Sequence, residues 1–199
     1  GPVVLVGHSM GGMSVLSHAR QFPRRYPRRV VGAALISSAA EGLARSPLGE
    51  ALQNPALEAV RFAARWAPWA VHRTRGAVRS LIRPIIRDAS FGSADVSPRL
   101  VEFSQAMIHG TAVTTLVEFL HALEVHDETA GLAVLARVPT LIACGSADLL
   151  TPAKYSEEMA EQLPDSELVI VPGAGHLVQL EQPEIINDAL LRLVERARA

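Results

Sequence analysis

Val3-Val4-Leu5-Val6-Gly7-His8-Ser9-Met10-Gly11-Gly12 is the stretch that decides the fold. Val3 to Val6 is a short, apolar, mostly β-branched run and reads as a buried strand. Gly12 to Phe22 holds few helix breakers and reads as a helix. The pattern G-x-S-x-G therefore falls on a turn between strand and helix, the context in which it is more than a chance match. Ser9 is expected at a sharp, strained bend. Gly7 and Gly11 lack a Cβ, so strand and helix can pass close to the serine without a clash. The hydroxyl would then stand at the carboxyl end of a strand and the N-terminus of a helix. Free amides and the helix dipole there favour developing negative charge. The bland alternative is a glycine-rich turn with an incidental serine.

Outward from the motif, Pro23 to Arg29 is a basic turn and Val30 to Ile36 reads as a second buried strand, ending in Ser37-Ser38. Two strands joined by a helix make a βαβ unit with parallel strands. From about 40 to 126 the pattern becomes helical, interrupted by Pro47, Pro55, Pro68, Pro84 and Pro98. Candidate helices are Pro55 to Trp66, Trp69 to Ile82, Pro98 to His109 and Thr111 to Val125. Asn54 and Ser97 each precede a proline, an N-cap arrangement. The sheet pattern resumes with a strand at Pro139 to Cys144 and a helix at Pro152 to Leu163, with Thr151 expected as its cap. A fourth strand follows at Glu167 to Val171, then the loop Pro172-Gly173-Ala174-Gly175-His176. Pro183 to Arg198 reads as an amphipathic helix, with Ile185, Ile186, Leu190, Leu193 and Val194 at helical spacing. The expected architecture is α/β: a mostly parallel sheet with flanking helices over 1–39 and 127–199, and a helical insert over 40–126.

The 199 residues are 49% hydrophobic and carry a formal net charge of −1. That suffices for a sizeable core and gives no global positive field to attract nucleic acid. Cys144 is the only cysteine, which excludes an intramolecular disulfide and a cysteine metal cluster. It lies in an apolar run and reads as a small core residue. No apolar run is long enough to span a bilayer and no signal peptide is visible, which suits a cytoplasmic protein. The chain begins at Gly1 and enters a strand almost at once, so its natural start is expected further upstream.

A serine hydroxyl is a weak nucleophile until a base takes its proton, and the base must itself be oriented by a third group. Ser9 ends the first expected strand, Asp148 follows the third and His176 follows the fourth. Parallel strands bring their carboxyl ends to one edge of the sheet, where open α/β folds bind ligands. Asp148 alone would read equally well as a turn residue or helix cap. His176 follows Pro-Gly-Ala-Gly, a loop that lets its side chain reach across.

With Gly145-Ser146-Ala147-Asp148-Leu149-Leu150-Thr151-Pro152, Gly173-Ala174-Gly175-His176 and the trailing Leu180-Glu181-Gln182-Pro183-Glu184, the chain resembles the α/β-hydrolase family. The order Ser, Asp, His matches that family. The resemblance implies Ser9 as nucleophile, His176 as base, Asp148 as its orienter and the Met10 amide as one oxyanion donor. It implies that the insert at 40–126 is a cap roofing the site. It implies no cofactor and no metal. Family members carry further strands before the nucleophile strand, and an early His-Gly loop supplying a second oxyanion donor. Neither is in this sequence, so the chain is expected to be the C-terminal half of a hydrolase. The implied activity is hydrolysis of a carboxylic ester or related acyl bond in a small-molecule substrate, through an acyl-enzyme. C–C hydrolases, acyltransferases and cofactor-free haloperoxidases share the same three residues. The rival from another class is a non-catalytic fragment or ligand-binding relative.

Several other residues invite sharp readings. His8 fills the variable position of the motif and reads as structural. His72, His109, His121 and His126 show no metal-ligand spacing and read as ordinary polar positions. Arg75, Arg79, Arg83 and Arg87 would share one helical face, which reads as a solvated face rather than a lip for anionic substrates or a membrane surface. Trp66 and Trp69 flank Pro68 and read as cap core.

Overall fold

The computed structural model describes residues 1–43, 89–93, 96–109, 119, 122–123 and 125–198. Strand β1 (Val3–His8) leads into helix α1 (Met10–Gln21), a single 3-10 turn at Pro23–Arg25 and strand β2 (Val30–Ile36). Helices α2 (Pro98–His109) and α3 (Thr129–Leu135) precede strand β3 (Thr140–Gly145). Helix α4 (Ala153–Gln162), strand β4 (Glu167–Val171), the short helix α5 (Val178–Glu181) and helix α6 (Pro183–Arg196) complete the order. The four strands form one parallel sheet in the order β1-β2-β3-β4.

Alternate residues of a strand face opposite sides of a sheet, and the core divides accordingly. On one face Ala33 and Leu35 of β2 and Ile142 of β3 pack with Leu16 and Ala19 of α1, Leu132 and Leu135 of α3, and Met159 of α4. On the other, Ala34, Ile36, Leu141 and Ala143 pack with Val178 of α5 and Ile186, Ala189 and Leu193 of α6. Helices on both faces explain why β2 and β3 are apolar throughout rather than alternating. Cys144 is buried within β3 as a free thiol. β1 corrects the expectation of a buried strand: it is outermost in the strand order, and Val3 and Val6 stay exposed, at 39% and 53%.

Two further expectations need correction. Helix α1 starts at Met10, not Gly12, so the close approach at the bend involves a different glycine pair. A Cβ at Gly7 would overlap the backbone of Gly11 and Gly12, and one at Gly12 would strike Ser38, but one at Gly11 would meet nothing. Thr151 does not cap α4: Pro152 stands at the cap position, with no side-chain capping bond. The Thr151 hydroxyl is engaged elsewhere.

Helix α2 coincides with the expected helix at Pro98 to His109. The expected helices at Pro55 to Trp66 and Trp69 to Ile82, most of Thr111 to Val125, Asn54, Trp66, Trp69 and the arginine face lie outside the described residues. So does most of the expected cap at 40–126.

Candidate active site

Ser9 occupies the junction of β1 and α1 with φ 56° and ψ −121°, a left-handed-side conformation that non-glycine residues rarely adopt. The strain is held in place by its surroundings. Ser9 N–H donates to the Ile36 carbonyl at 2.8 Å, and the Ser9 carbonyl accepts from Gly12 N–H at 2.9 Å and the Ser38 hydroxyl at 3.0 Å. Next along, Met10 is the first residue of α1, so its amide has no acceptor within the helix.

Asp148 lies in the turn after β3 and His176 in the loop after β4. The two loops are joined: Ala147 N–H donates to the Ala174 carbonyl at 2.9 Å, and Gly173 N–H to the Ser146 hydroxyl at 2.9 Å. This brings His176 Nδ1 to 2.9 Å from Asp148 Oδ2, and His176 Nε2 to 2.9 Å from Ser9 Oγ. Asp148 and His176 are buried, at 3% and 6% exposure, so the pair is shielded from water. Ser9, Asp148 and His176 thus form one continuous chain of hydrogen bonds at the carboxyl edge of the sheet.

The protonation pattern follows from the carboxylate. Burial pushes the Asp148 carboxyl up, but hydrogen bonds from His176 and the Thr151 amide and hydroxyl outweigh it and hold the group below its ordinary value. Oδ1 accepts the amides of Leu150 and Thr151, each at 2.9 Å, and Oδ2 accepts the Thr151 hydroxyl at 2.8 Å. An ionised carboxylate only accepts, so the proton between it and the imidazole sits on Nδ1. In the neutral form of that tautomer Nε2 is the acceptor facing the Ser9 hydroxyl. That arrangement can take a proton from the serine oxygen and return it later.

His8 lies beneath this chain. Its Nε2 donates to the His176 carbonyl at 2.8 Å, and the two rings stand 4.9 Å apart. Burial, the largest cause, lowers the His8 pKa. Among the described residues no group of three or more His, Cys, Asp or Glu side chains converges as a metal site. His126 donates to the Ala39 carbonyl at 3.0 Å.

The sequence reading missed Thr151, Ser38 and Glu181 as supports of the site. Asp148-x-x-Thr151 did carry a signal, since Asp followed by a hydroxyl residue at that spacing closes local side-chain to backbone turns. Ser38 acts across a long sequence separation and left none, and Glu181 lies in the quoted stretch Leu180 to Glu184 without its partners being legible.

The profile of the alpha/beta hydrolase family matches residues 1–189. The chain belongs to the alpha/beta hydrolase family. Among curated proteins, it is similar to the dihydrolipoyllysine-residue acetyltransferase component of the acetoin cleaving system of Pseudomonas putida, with 27% identity over 96% of this chain and 45% of that protein. A provisionally named carbamate hydrolase, RutD of Escherichia coli, is 36% identical over 48% of this chain and 36% of that protein. Among solved alpha/beta hydrolase structures, a thermophilic esterase from Thermogutta terrifontis superposes with a TM-score of 0.72 at 25% identity, covering 100% of this chain and 66% of the esterase. The chain thus spans less than half the length of these curated relatives. No helix among the described residues is long and apolar enough to cross a membrane.

Proposed function

We propose that this alpha/beta hydrolase cleaves a carboxylic ester or related acyl bond by way of a Ser9 acyl-enzyme. The observation that carries the reading is His176, hydrogen-bonded at once to Ser9 Oγ through Nε2 and to Asp148 through Nδ1. Ser9 Oγ attacks the acyl carbon as its proton moves to His176 Nε2. The imidazolium, stabilised by Asp148, returns that proton to the leaving group as the acyl–oxygen bond breaks. Water then attacks the acyl-enzyme, gives a proton to His176 and releases the acid, restoring the serine. The Met10 amide is assigned to the developing oxyanion, and the insert at 40–126 to the roof of the acyl pocket. Removing one oxyanion donor of this kind costs about 2.7–4 kcal/mol in transition-state stabilisation. The esterase similarity along the whole chain supports an ester as the bond, and the RutD similarity is in keeping with a carbamate as a related one.

A second reading is acyl transfer, favoured by similarity over 96% of the chain to a protein named as an acetyltransferase component. There the acyl-enzyme passes its acyl group to an acceptor other than water.

One experiment tests both readings in the full-length protein. A fluorophosphonate probe should label the protein at Ser9, and Ser9→Ala should abolish labelling and short-chain aryl ester hydrolysis together. Labelling that persists in Ser9→Ala refutes the nucleophile assignment. An ester formed on adding an alcohol, or a thioester on adding a thiol, at the expense of free acid, selects transfer over hydrolysis. A parent protein inert to the probe points to a non-catalytic relative.

A further inference from the structure

Glu181 has no place in the chemistry above, yet its carboxylate joins two stretches far apart in sequence. It closes helix α5, just beyond His176. Oε1 accepts the amide of Gly175, the residue before His176, at 2.7 Å, and Oε2 accepts the amide of Gly92 at 3.0 Å. On the other side of His176, Leu177 N–H donates to the Ser90 carbonyl at 3.0 Å. The residues flanking His176 are therefore both tied, directly or through Glu181, to the segment 90–92.

The two stretches meet backbone against backbone. A Cβ at Gly92 would overlap the Gly173 carbonyl, and a Cβ at Gly175 would overlap the Gly92 amide. Ser90 and Phe91 are buried in this contact region, at 6% and 7% exposure. The chemistry of the bridge is specific. Two N–H donors converge on one side chain, which needs an acceptor at each of its two oxygens, and an ionised carboxylate supplies both. A primary amide has one acceptor and would aim an N–H at the second donor. Aspartate is one methylene too short to reach both.

We propose that Glu181 is a positioning residue that holds His176 in line with Ser9 and makes that alignment depend on docking of the segment 90–92. The proposal rests on the reading of Ser9 and His176 given above. Segment 90–92 belongs to the stretch between β2 and β3, so a displacement there reaches the base through one carboxylate. A reacting group misplaced by about 1 Å loses on the order of a hundredfold in rate.

The test compares Glu181→Gln, Glu181→Asp and Gly92→Ala in the full-length protein. Three quantities are read: hydrogen exchange at the Gly92 and Gly175 amides, the rate of fluorophosphonate labelling, and kcat and KM for a short-chain aryl ester. Glu181→Gln should speed exchange at both amides and lower kcat and labelling by about tenfold to a hundredfold, with KM changed by less than about twofold. Glu181→Asp should fall between it and the parent. Gly92→Ala undocks the segment by steric overlap and leaves Glu181 intact; it should lower kcat as well, and the double variant with Glu181→Gln should be no worse than the more impaired single one. Unchanged amide exchange in Glu181→Gln, parental kcat, or losses that add in the double variant would overturn the bracket. A parent protein that never reacts with the probe overturns the hydrolase reading instead, and amide exchange then decides alone whether the bracket exists.

Discussion

His8 makes the stability of the site depend on pH. Burial disfavours the protonated form of its ring, so its folded pKa lies below the ordinary 6.5. The unfolded chain therefore binds the extra proton first, and stability rises with pH across the window between the folded value and 6.5. As pH falls below 6.5, that contribution is lost. His8→Gln keeps an N–H for the His176 carbonyl and removes the titration. Its melting temperature should fall less steeply with acid than that of the parent; parallel curves would exclude His8 as the source. Thr151 is a second residue with a measurable role. Its hydroxyl is one of four donors to the buried Asp148 carboxylate. Thr151→Val keeps the shape and deletes the donor, and should cost about 1.5–3 kcal/mol in denaturant unfolding, as for a hydrogen bond to a charged group. Thr151→Ser should restore most of it.

At the scale of elements, the bend between β1 and α1 fixes everything downstream. Gly7 abuts the backbone of Gly11 and Gly12, with no room for a Cβ. Gly7→Ala should destabilise by about 3 kcal/mol, the upper end for overpacking, because backbone cannot rotate away as a side chain can. Urea unfolding of the purified variant measures it. The elements themselves differ in how legible they are. β2 and β4 have the bounds their apolar runs indicate, since each run is closed by turn residues on both sides. The start of α1 is hidden by Gly11, which closes the G-x-S-x-G pattern and reads as turn, so the helix is expected from Gly12 rather than Met10. The start of α4 was misread because Thr151 stands before Pro152, in a capping position by local rules. Asp148 captures that hydroxyl instead, and a buried anion outcompetes a solvated helix end. Ser9, Asp148 and His176 were visible as candidates because each follows a strand. The bridge through Glu181 was not, because a glycine required by a close backbone contact, as at Gly92 and Gly175, does not say which distant stretch it meets.

Across the whole molecule, the sheet is covered by helices on both faces but not equally along its width. β1 is outermost in the strand order, pairs with β2, and leaves Val3 and Val6 exposed. An exposed apolar strand edge is a template for pairing with another chain. The chain should self-associate, and Val6→Lys should raise the monomer fraction in sedimentation velocity. A parent chain that sediments as monomer at all concentrations would show that the edge is protected. The convergence of the site is also a property of the whole. Ser9 and His176 are brought within 2.9 Å only because four parallel strands end at one edge.

The burial of Cys144 has a practical consequence. It is the only thiol in the chain, it lies inside β3 with no exposed surface, and burial raises its pKa. Maleimides and other thiol dyes react with exposed thiolates, so the unaltered protein is silent to them. A cysteine introduced in place of Leu149, which is 59% exposed and adjoins Asp148, would be the one labelled position in the folded protein. A fluorophore there would watch ligands arrive at the sheet edge in real time, with no background to subtract and no native residue to delete first.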